Sequence, residues 1–184
     1  GDMAGQKAAE RAVEVFFAET LDVKIALMSS QTDAKDPDEL LKRDAGADIA
    51  QIDDPHLCLF VDPEVRKQYA DPDAAAAFAV DMINEVVSGV TGIKIAVHLC
   101  RRAGGRARGE ACHCGGYGPI IKDLNRLRAH HLTMEFTAPQ AGDMAVFREL
   151  REDFEIGLGC VDVTPGKIDS AVTIAGRVRK ALEF

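Results

Sequence analysis

The chain has 184 residues, of which 47% are hydrophobic and 28% charged, a mixture typical of a globular protein. Its formal net charge of −8 at pH 7 argues against a general binder of nucleic acid or of an anionic membrane surface. No apolar run approaches the roughly 20 residues of a membrane-spanning helix, and no secretory signal is visible. We therefore expect its five cysteines to be reduced and its compartment to be the cytosol.

Short apolar runs alternate with helical patterns along the chain. The predicted strands are 23–29, 48–53, 93–100, 132–136 and 155–163, and the predicted helices are 36–43, 72–88, 118–129, 142–152 and 168–183. The helix over 72–88 has the clearest pattern, because Asp71 or Asp73 can cap its start, alanines favour its first turns and Gly89 can end it. Strands that alternate with helices are typical of βαβ units and a parallel sheet.

Two parallel folds fit this alternation: an open doubly wound sheet and a (β/α)₈ TIM barrel. No G-x-G-x-x-G motif follows a strand, so the dinucleotide-binding form of the open sheet has no support. Polar residues collect instead at the carboxyl ends of the predicted strands, where the active sites of barrels are built. They are Gln51, Asp53, His98, Cys100, Glu135 and Asp162. We therefore predict a TIM barrel, with residues 1–184 forming a single catalytic domain.

The number of predicted strands is small for a complete barrel, which needs eight strands and at least about 200 residues. We expect the chain to cover mainly the C-terminal strands and helices of the barrel, with further strands before residue 1. The stretch before the strand at 48–53 allows only about two helical turns, fewer than a crossover helix usually has. This predicts omitted residues near Arg43–Asp44.

His98 and Cys100 lie two residues apart at the end of a predicted strand, so their side chains share one face. Glu135 ends the next predicted strand, and neighbouring parallel strands lie about 4.8 Å apart. Nitrogen, sulfur and carboxylate oxygen together suit tetrahedral zinc, and a catalytic zinc keeps one position open for substrate. The residues therefore predict a zinc site made by His98, Cys100 and Glu135.

A series of motifs follows in a fixed order: "GADIAQIDDPHL", "VHLCRR", "GGYGPI", "LTMEF", "AGDM" and "LGCVDV". Over roughly residues 22–184 the chain resembles cobalamin-independent methionine synthase, closest to its catalytic C-terminal barrel and the short single-barrel relatives. The resemblance implies zinc ligation by His98, Cys100 and Glu135, with a further cysteine ligand expected beyond Phe184. It also implies that Asp53 holds the amino group of homocysteine, and Gln51, which shares its face, is expected to support it.

The implied activity is methyl transfer from methyltetrahydrofolate, or a related donor, to the thiol of homocysteine, which forms methionine. A zinc-dependent thiol alkyltransferase of the epoxyalkane:coenzyme M transferase type, and a non-catalytic barrel that binds a small molecule or a partner, stay open as alternatives. Asp162 is a candidate proton donor by position alone. Cys112 and Cys114, in "CHC", are candidate substitute zinc ligands. The partners expected are a thiol and a methyl donor, and the oligomeric state is left open.

For several other residues the sequence predicts the surroundings or a structural role. Arg101, Arg102, Arg106 and Arg108 form a basic patch that is either a solvated loop or a site for a carboxylate or phosphate, such as that of a polyglutamyl folate. Asp54 is expected to shape the loop before Pro55, and Cys160 to be a small core residue. The surface histidines are expected to be His113, His130 and His131.

Overall fold

A computed structural model of the chain describes residues 48–54, 56–101, 113–137, 139–164 and 166–184. The strand predicted at 23–29, the helix predicted at 36–43 and the break predicted near Arg43–Asp44 lie outside these residues. A single domain over 1–184 therefore stays a prediction.

Four parallel strands form one sheet in the order of the chain. They are β1 (Ile49–Asp54), β2 (Lys94–Leu99), β3 (His131–Glu135) and β4 (Glu155–Gly159). The four strands predicted in this part of the chain are confirmed, although β4 is shorter than the predicted 155–163. Because all four strands run in the same direction, their carboxyl ends lie at one edge of the sheet.

The α-helices of the described residues are α1 (Pro63–Arg66), α2 (Pro72–Val86), α3 (Ile121–Leu124) and α4 (Ala171–Ala181). Short 3₁₀ helices cover Leu57–Val61, Gly118–Ile120, Pro139–Ala141 and Met144–Glu149. The side chain of Asp71 accepts a hydrogen bond from the backbone of Ala74 (2.9 Å) and caps α2, as predicted. The helix predicted over 168–183 is confirmed as α4.

Two helix predictions need correction. The α-helix predicted over 118–129 stops at Leu124. It does not continue because the guanidinium of Arg151 binds carbonyl oxygens further along the chain, at Leu127 (3.0 Å) and Ala129 (3.2 Å). The α-helix predicted over 142–152 is a 3₁₀ helix at Met144–Glu149, with backbone bonds that span three residues.

The two faces of the sheet differ in character. Apolar side chains alternate along the strands, and those on one face belong to the hydrophobic core that also includes Val80 of α2 and Leu124 of α3. The other face carries polar residues, among them Gln51, Asp53 and His98. At the carboxyl ends of the strands, the side chains of this polar face are the ones that can form a site.

The sheet is open rather than closed. Within the described residues β1 and β4 each have one strand neighbour, and four strands are too few to close a barrel. The predicted TIM barrel is therefore confirmed only as a parallel α/β arrangement. None of the described helices combines the length and hydrophobicity that crossing a membrane requires.

Candidate metal and substrate site

The strand register brings the predicted site residues to one edge of the sheet. Asp53 of β1 pairs with His98 of β2, and His98 pairs with Thr133 of β3. The pairing of β2 with β3 ends at Leu99 and Met134, so that Cys100 and Glu135 follow directly. The carboxyl ends of β1, β2 and β3 thus carry Asp53, His98, Cys100 and Glu135.

A chain of hydrogen bonds joins Gln51, Asp53 and His98. Oδ1 of Asp53 accepts from Nε2 of Gln51 at 3.1 Å and lies 2.9 Å from Nδ1 of His98. A carboxylate on one ring nitrogen fixes the imidazole and leaves Nε2 as the nitrogen that can bind a further group, an arrangement common in metal-binding histidines. The family resemblance implies that Asp53 lies near substrate, but the sequence gave no sign of this contact with His98.

The backbone and the side chain of Glu135 are both held. Its carboxylate accepts a hydrogen bond from Oγ1 of Thr137 at 2.8 Å. Its backbone N–H donates to the hydroxyl of Tyr117 at 3.0 Å, and its carbonyl oxygen accepts from the same hydroxyl at 3.3 Å. Sequence reasoning missed Tyr117, whose only signal was its place in the motif "GGYGPI". Burial raises the pKa of Tyr117, so the hydroxyl keeps its proton.

The donors predicted to bind zinc are neighbours, but they do not converge. Within the described ranges, no three side chains of His, Cys, Asp and Glu are grouped so that they could hold a metal ion. Nδ1 of His98 contacts Asp53, and the carboxylate of Glu135 accepts a hydrogen bond from Thr137. The donor set itself, an imidazole, a thiol and a carboxylate, fits zinc. Zinc ligation by His98, Cys100 and Glu135 stays a prediction.

The thiols near this edge have different surroundings. Cys100 is half-buried, whereas Cys58 is completely buried. Burial raises the pKa of the Cys58 thiol to about 12, which keeps it protonated at neutral pH. Cys114 is exposed, and its backbone N–H donates to Oδ2 of Asp62 at 3.0 Å. Cys112 lies outside the described residues, so substitution by Cys112 or Cys114 stays a prediction.

The solvated-loop prediction for Arg101 is wrong, because this side chain is only 4% exposed. Its Nε donates to the hydroxyl of Tyr117 at 3.1 Å and one terminal nitrogen donates to the carbonyl oxygen of His113 at 3.3 Å. Arg102, Arg106 and Arg108 lie outside the described residues.

The three predicted surface histidines lie in different environments. His113 is buried rather than at the surface, and His130 is exposed as predicted. His131 is half-buried, and this burial lowers its pKa.

Two further aspartates shape loops. Oδ1 of Asp54 accepts from the backbone N–H groups of His56 (2.6 Å) and Leu57 (3.3 Å), which confirms the predicted role in this loop. Oδ1 of Asp162 accepts from the backbone of Thr164 at 2.9 Å, and its own N–H donates to Asp169 at 2.7 Å. Asp162 as a proton donor stays a prediction, and Cys160 is half-buried rather than in the core.

A parallel α/β sheet with polar side chains at the carboxyl ends of its strands is the arrangement on which the active sites of many α/β enzymes are built. Residues 22–184 match the model of the family described as cobalamin-independent synthase, catalytic domain. The match covers most of the chain, and the chain therefore belongs to this family. The resemblance inferred from the motifs is confirmed.

Individual relatives agree with this assignment. The methionine synthases of Saccharolobus islandicus and Sulfolobus acidocaldarius are each 26% identical to the chain over 141 residues, which is 77% of the chain. The chain spans about a third of these relatives, 35% and 33% of their lengths.

A solved structure is similar in fold. It is a B12-independent methionine synthase from Shewanella sp. W3-18-1 in complex with selenomethionine. The TM-score is 0.55 and the sequence identity 20%, and the likeness covers 80% of this chain and 40% of that one.

Proposed function

We propose that the chain carries catalytic residues of a zinc-dependent methyltransferase. It would transfer a methyl group from methyltetrahydrofolate, or a related donor, to the thiol of homocysteine and so form methionine. The proposal is supported by membership of the cobalamin-independent synthase family and by relatives named methionine synthase. A protein of similar fold is in complex with selenomethionine, the selenium analogue of methionine.

The observation that carries the proposal is the Asp53–His98 contact beside Cys100 and Glu135. Asp53 fixes the imidazole by its Nδ1, which leaves Nε2 of His98 to join the Cys100 thiol and the Glu135 carboxylate as ligands. Zinc held by these residues would deprotonate a substrate thiol that, with a pKa near 8.5, is only a few per cent thiolate at neutral pH.

The carboxylate of Asp53 is suited to a second task. Its side chain is 73% exposed, so one oxygen can bind a substrate ammonium while the other stays with His98 and Gln51. Because Asp53 and His98 are paired across neighbouring strands, an amino acid held at Asp53 would have its thiol close to the ligands. The proton that the departing folate nitrogen needs would come from Asp162 or from solvent.

Zinc analysis and thiol specificity test this proposal together. We expect the purified chain to bind about one zinc ion, and its cobalt(II) form to change its visible spectrum on addition of homocysteine. Coenzyme M is the control thiol, and a response to it in place of homocysteine would favour the alkyltransferase alternative. A chain that binds no zinc and responds to neither thiol would contradict the proposal and favour a non-catalytic barrel.

A further inference from the structure

Arg101 and Tyr117 form a buried pair that the proposed reaction does not use. Tyr117 is 1% exposed, and Cζ of Arg101 lies 4.3 Å from the centre of its ring. A buried guanidinium is costly to desolvate unless its donors are bonded. Two of its nitrogens donate to the hydroxyl of Tyr117 and to the carbonyl oxygen of His113.

The hydroxyl of Tyr117 makes three hydrogen bonds. It accepts from Nε of Arg101 (3.1 Å) and from the backbone N–H of Glu135 (3.0 Å), and it donates to the carbonyl oxygen of Glu135 (3.3 Å). A phenolic hydroxyl has one hydrogen and two lone pairs, so these contacts use its full capacity. The direction of each bond is thereby determined.

The contact lies just beyond the last residue pair between β2 and β3. The pairing of β2 with β3 ends at Leu99 and Met134, and the hydroxyl of Tyr117 takes the backbone groups of the next residue. On the other side, the register with β4 still pairs Glu135 with Gly159. The backbone of Glu135 is therefore held from both sides, by a strand and by a side chain.

The segment that leads to Tyr117 packs closely against neighbouring backbone. The N–H of Gly115 donates to the carbonyl oxygen of Gln140 at 2.8 Å. A Cβ at Gly115, where φ is +134°, would lie 2.0 Å from the carbonyl oxygen of Val61. At Gly142, where φ is +86°, a Cβ would lie 2.5 Å from Cα of Gly116. Both positions exclude a side chain by space and by backbone conformation.

We propose that the Arg101–Tyr117 pair positions Glu135 relative to Cys100. Arg101 directly follows Cys100 in the chain, and Tyr117 binds the backbone of Glu135, so one hydrogen bond connects the ends of β2 and β3 that carry two predicted ligands. Arg101 and Tyr117 are thus positioning residues that act through Glu135. This inference rests on the proposed function only for the identity of the metal ligands.

The test compares Tyr117→Phe with Tyr69→Phe, a change at the other tyrosine of the sequence, whose ring packs on Phe60. Each variant and the unchanged chain are titrated with cobalt(II) and, by competition, with zinc. We expect Tyr117→Phe to weaken metal affinity by about 10- to 100-fold, the usual effect of losing a group that orients a ligand. Tyr69→Phe should bind metal as the unchanged chain does, and circular dichroism should show that both variants are folded.

Amide hydrogen exchange supplies a readout that does not depend on metal. The amide of Glu135 should exchange roughly two- to tenfold faster in Tyr117→Phe, because it loses one hydrogen bond. Arg101→Lys keeps the charge and both bonds between Tyr117 and Glu135 but loses the Nε donor that fixes the hydroxyl. It should shift metal affinity and exchange in the same direction by a smaller factor, and it serves if Tyr117→Phe does not fold.

Unchanged metal affinity and unchanged exchange in both variants would overturn the inference and leave the proposed function intact. If the unchanged chain binds no metal, the proposed function fails, while the exchange rate at Glu135 still decides whether the pair holds this residue.

Discussion

Cys58 and Cys100 are the same residue type with different chemistry, and the difference comes from their surroundings. Cys58 is fully buried, and burial raises the pKa of its thiol to about 12. Cys100 is half-buried at the carboxyl edge of the sheet, directly after β2, where Glu135 ends β3. A thiol that stays protonated is a poor metal ligand, so Cys58 is not a candidate, whereas Cys100 lies at the predicted site.

Replacement of Cys100 by serine should remove most of the bound zinc while the chain stays folded. A serine hydroxyl is a poor zinc ligand beside a thiolate, whereas it fits the space of the thiol. Zinc content after dialysis is the measurement, and Cys160→Ser, at a half-buried thiol that follows β4, is the matched control. If Cys100→Ser keeps the zinc content of the unchanged chain, Cys100 is not a ligand.

Replacement of Asp53 by asparagine should weaken binding of the amino-acid thiol. Zinc content should stay unchanged, because the amide oxygen of asparagine can still accept a hydrogen bond from Nδ1 of His98. The variant loses a charge-assisted hydrogen bond to the substrate ammonium, at a cost of roughly 1.5–3 kcal/mol. Calorimetric titration of the zinc-loaded variant with homocysteine measures this loss of binding free energy. Loss of zinc with unchanged thiol affinity would mean that the contact of Asp53 with His98 is its main role.

At the scale of elements, the connection between α3 and β3 depends on a neighbouring segment. The guanidinium of Arg151 donates to the carbonyl oxygens of Asn125 (3.1 Å), Leu127 (3.0 Å) and Ala129 (3.2 Å). The amide of Asn125 returns a bond to the carbonyl oxygen of Glu149 at 2.8 Å. These bonds satisfy carbonyl groups that a longer helix would have used, and they fix the approach to β3.

Arg151→Ala should therefore lower the free energy of unfolding by about 1.5–3 kcal/mol, the range for hydrogen bonds from a charged donor. Urea denaturation measures the change. Arg148→Ala is the control, because the guanidinium of Arg148 stacks on Phe184 and its loss removes a contact with one ring. Equal effects of the two substitutions would show that the carbonyl contacts of Arg151 contribute nothing specific.

At the scale of the whole molecule, the groups whose pKa is shifted by folding predict how stability depends on pH. Hydrogen bonds from Arg66, Lys94 and Arg177 lower the pKa of their carboxylate partners. Those partners are Asp73, Glu155 and Asp169. Burial lowers the pKa of His131. In each case the unfolded chain binds more protons than the folded one over the shifted range, so stability falls as pH falls.

We expect the urea midpoint to be constant between about pH 7 and pH 8, below the ordinary pKa of a thiol, and to fall in two stages on acidification. The first stage begins near pH 6.5, the ordinary pKa of histidine, and the second near pH 4, that of the carboxylates. His131→Gln should remove the first stage and keep the second. A midpoint that rises between pH 7 and pH 5 would contradict the sign of the His131 effect.

The positions of the strands, the capped helix α2 and the gathering of polar residues at strand ends could be predicted from sequence alone. Each depends on local features: the alternation of side chains along a strand, the preference of Asp71 for a helix start, and the common direction of parallel strands. The order of short motifs also identified the family, because the match needs only residue types in sequence.

Only the tertiary structure decided which side chains meet. Asp53 and His98 are 45 residues apart and Arg101 and Tyr117 are 16 apart, so no local spacing predicts their contacts. For the same reason the sequence did not reveal that Arg101 is buried, which rules out one of its two predictions, the solvated loop. It also predicts a helix after Gly118 that runs past Leu124, where Arg151 binds the chain instead. Contacts between distant residues depend on the packing of whole elements, and that packing gives the strand ends their chemistry.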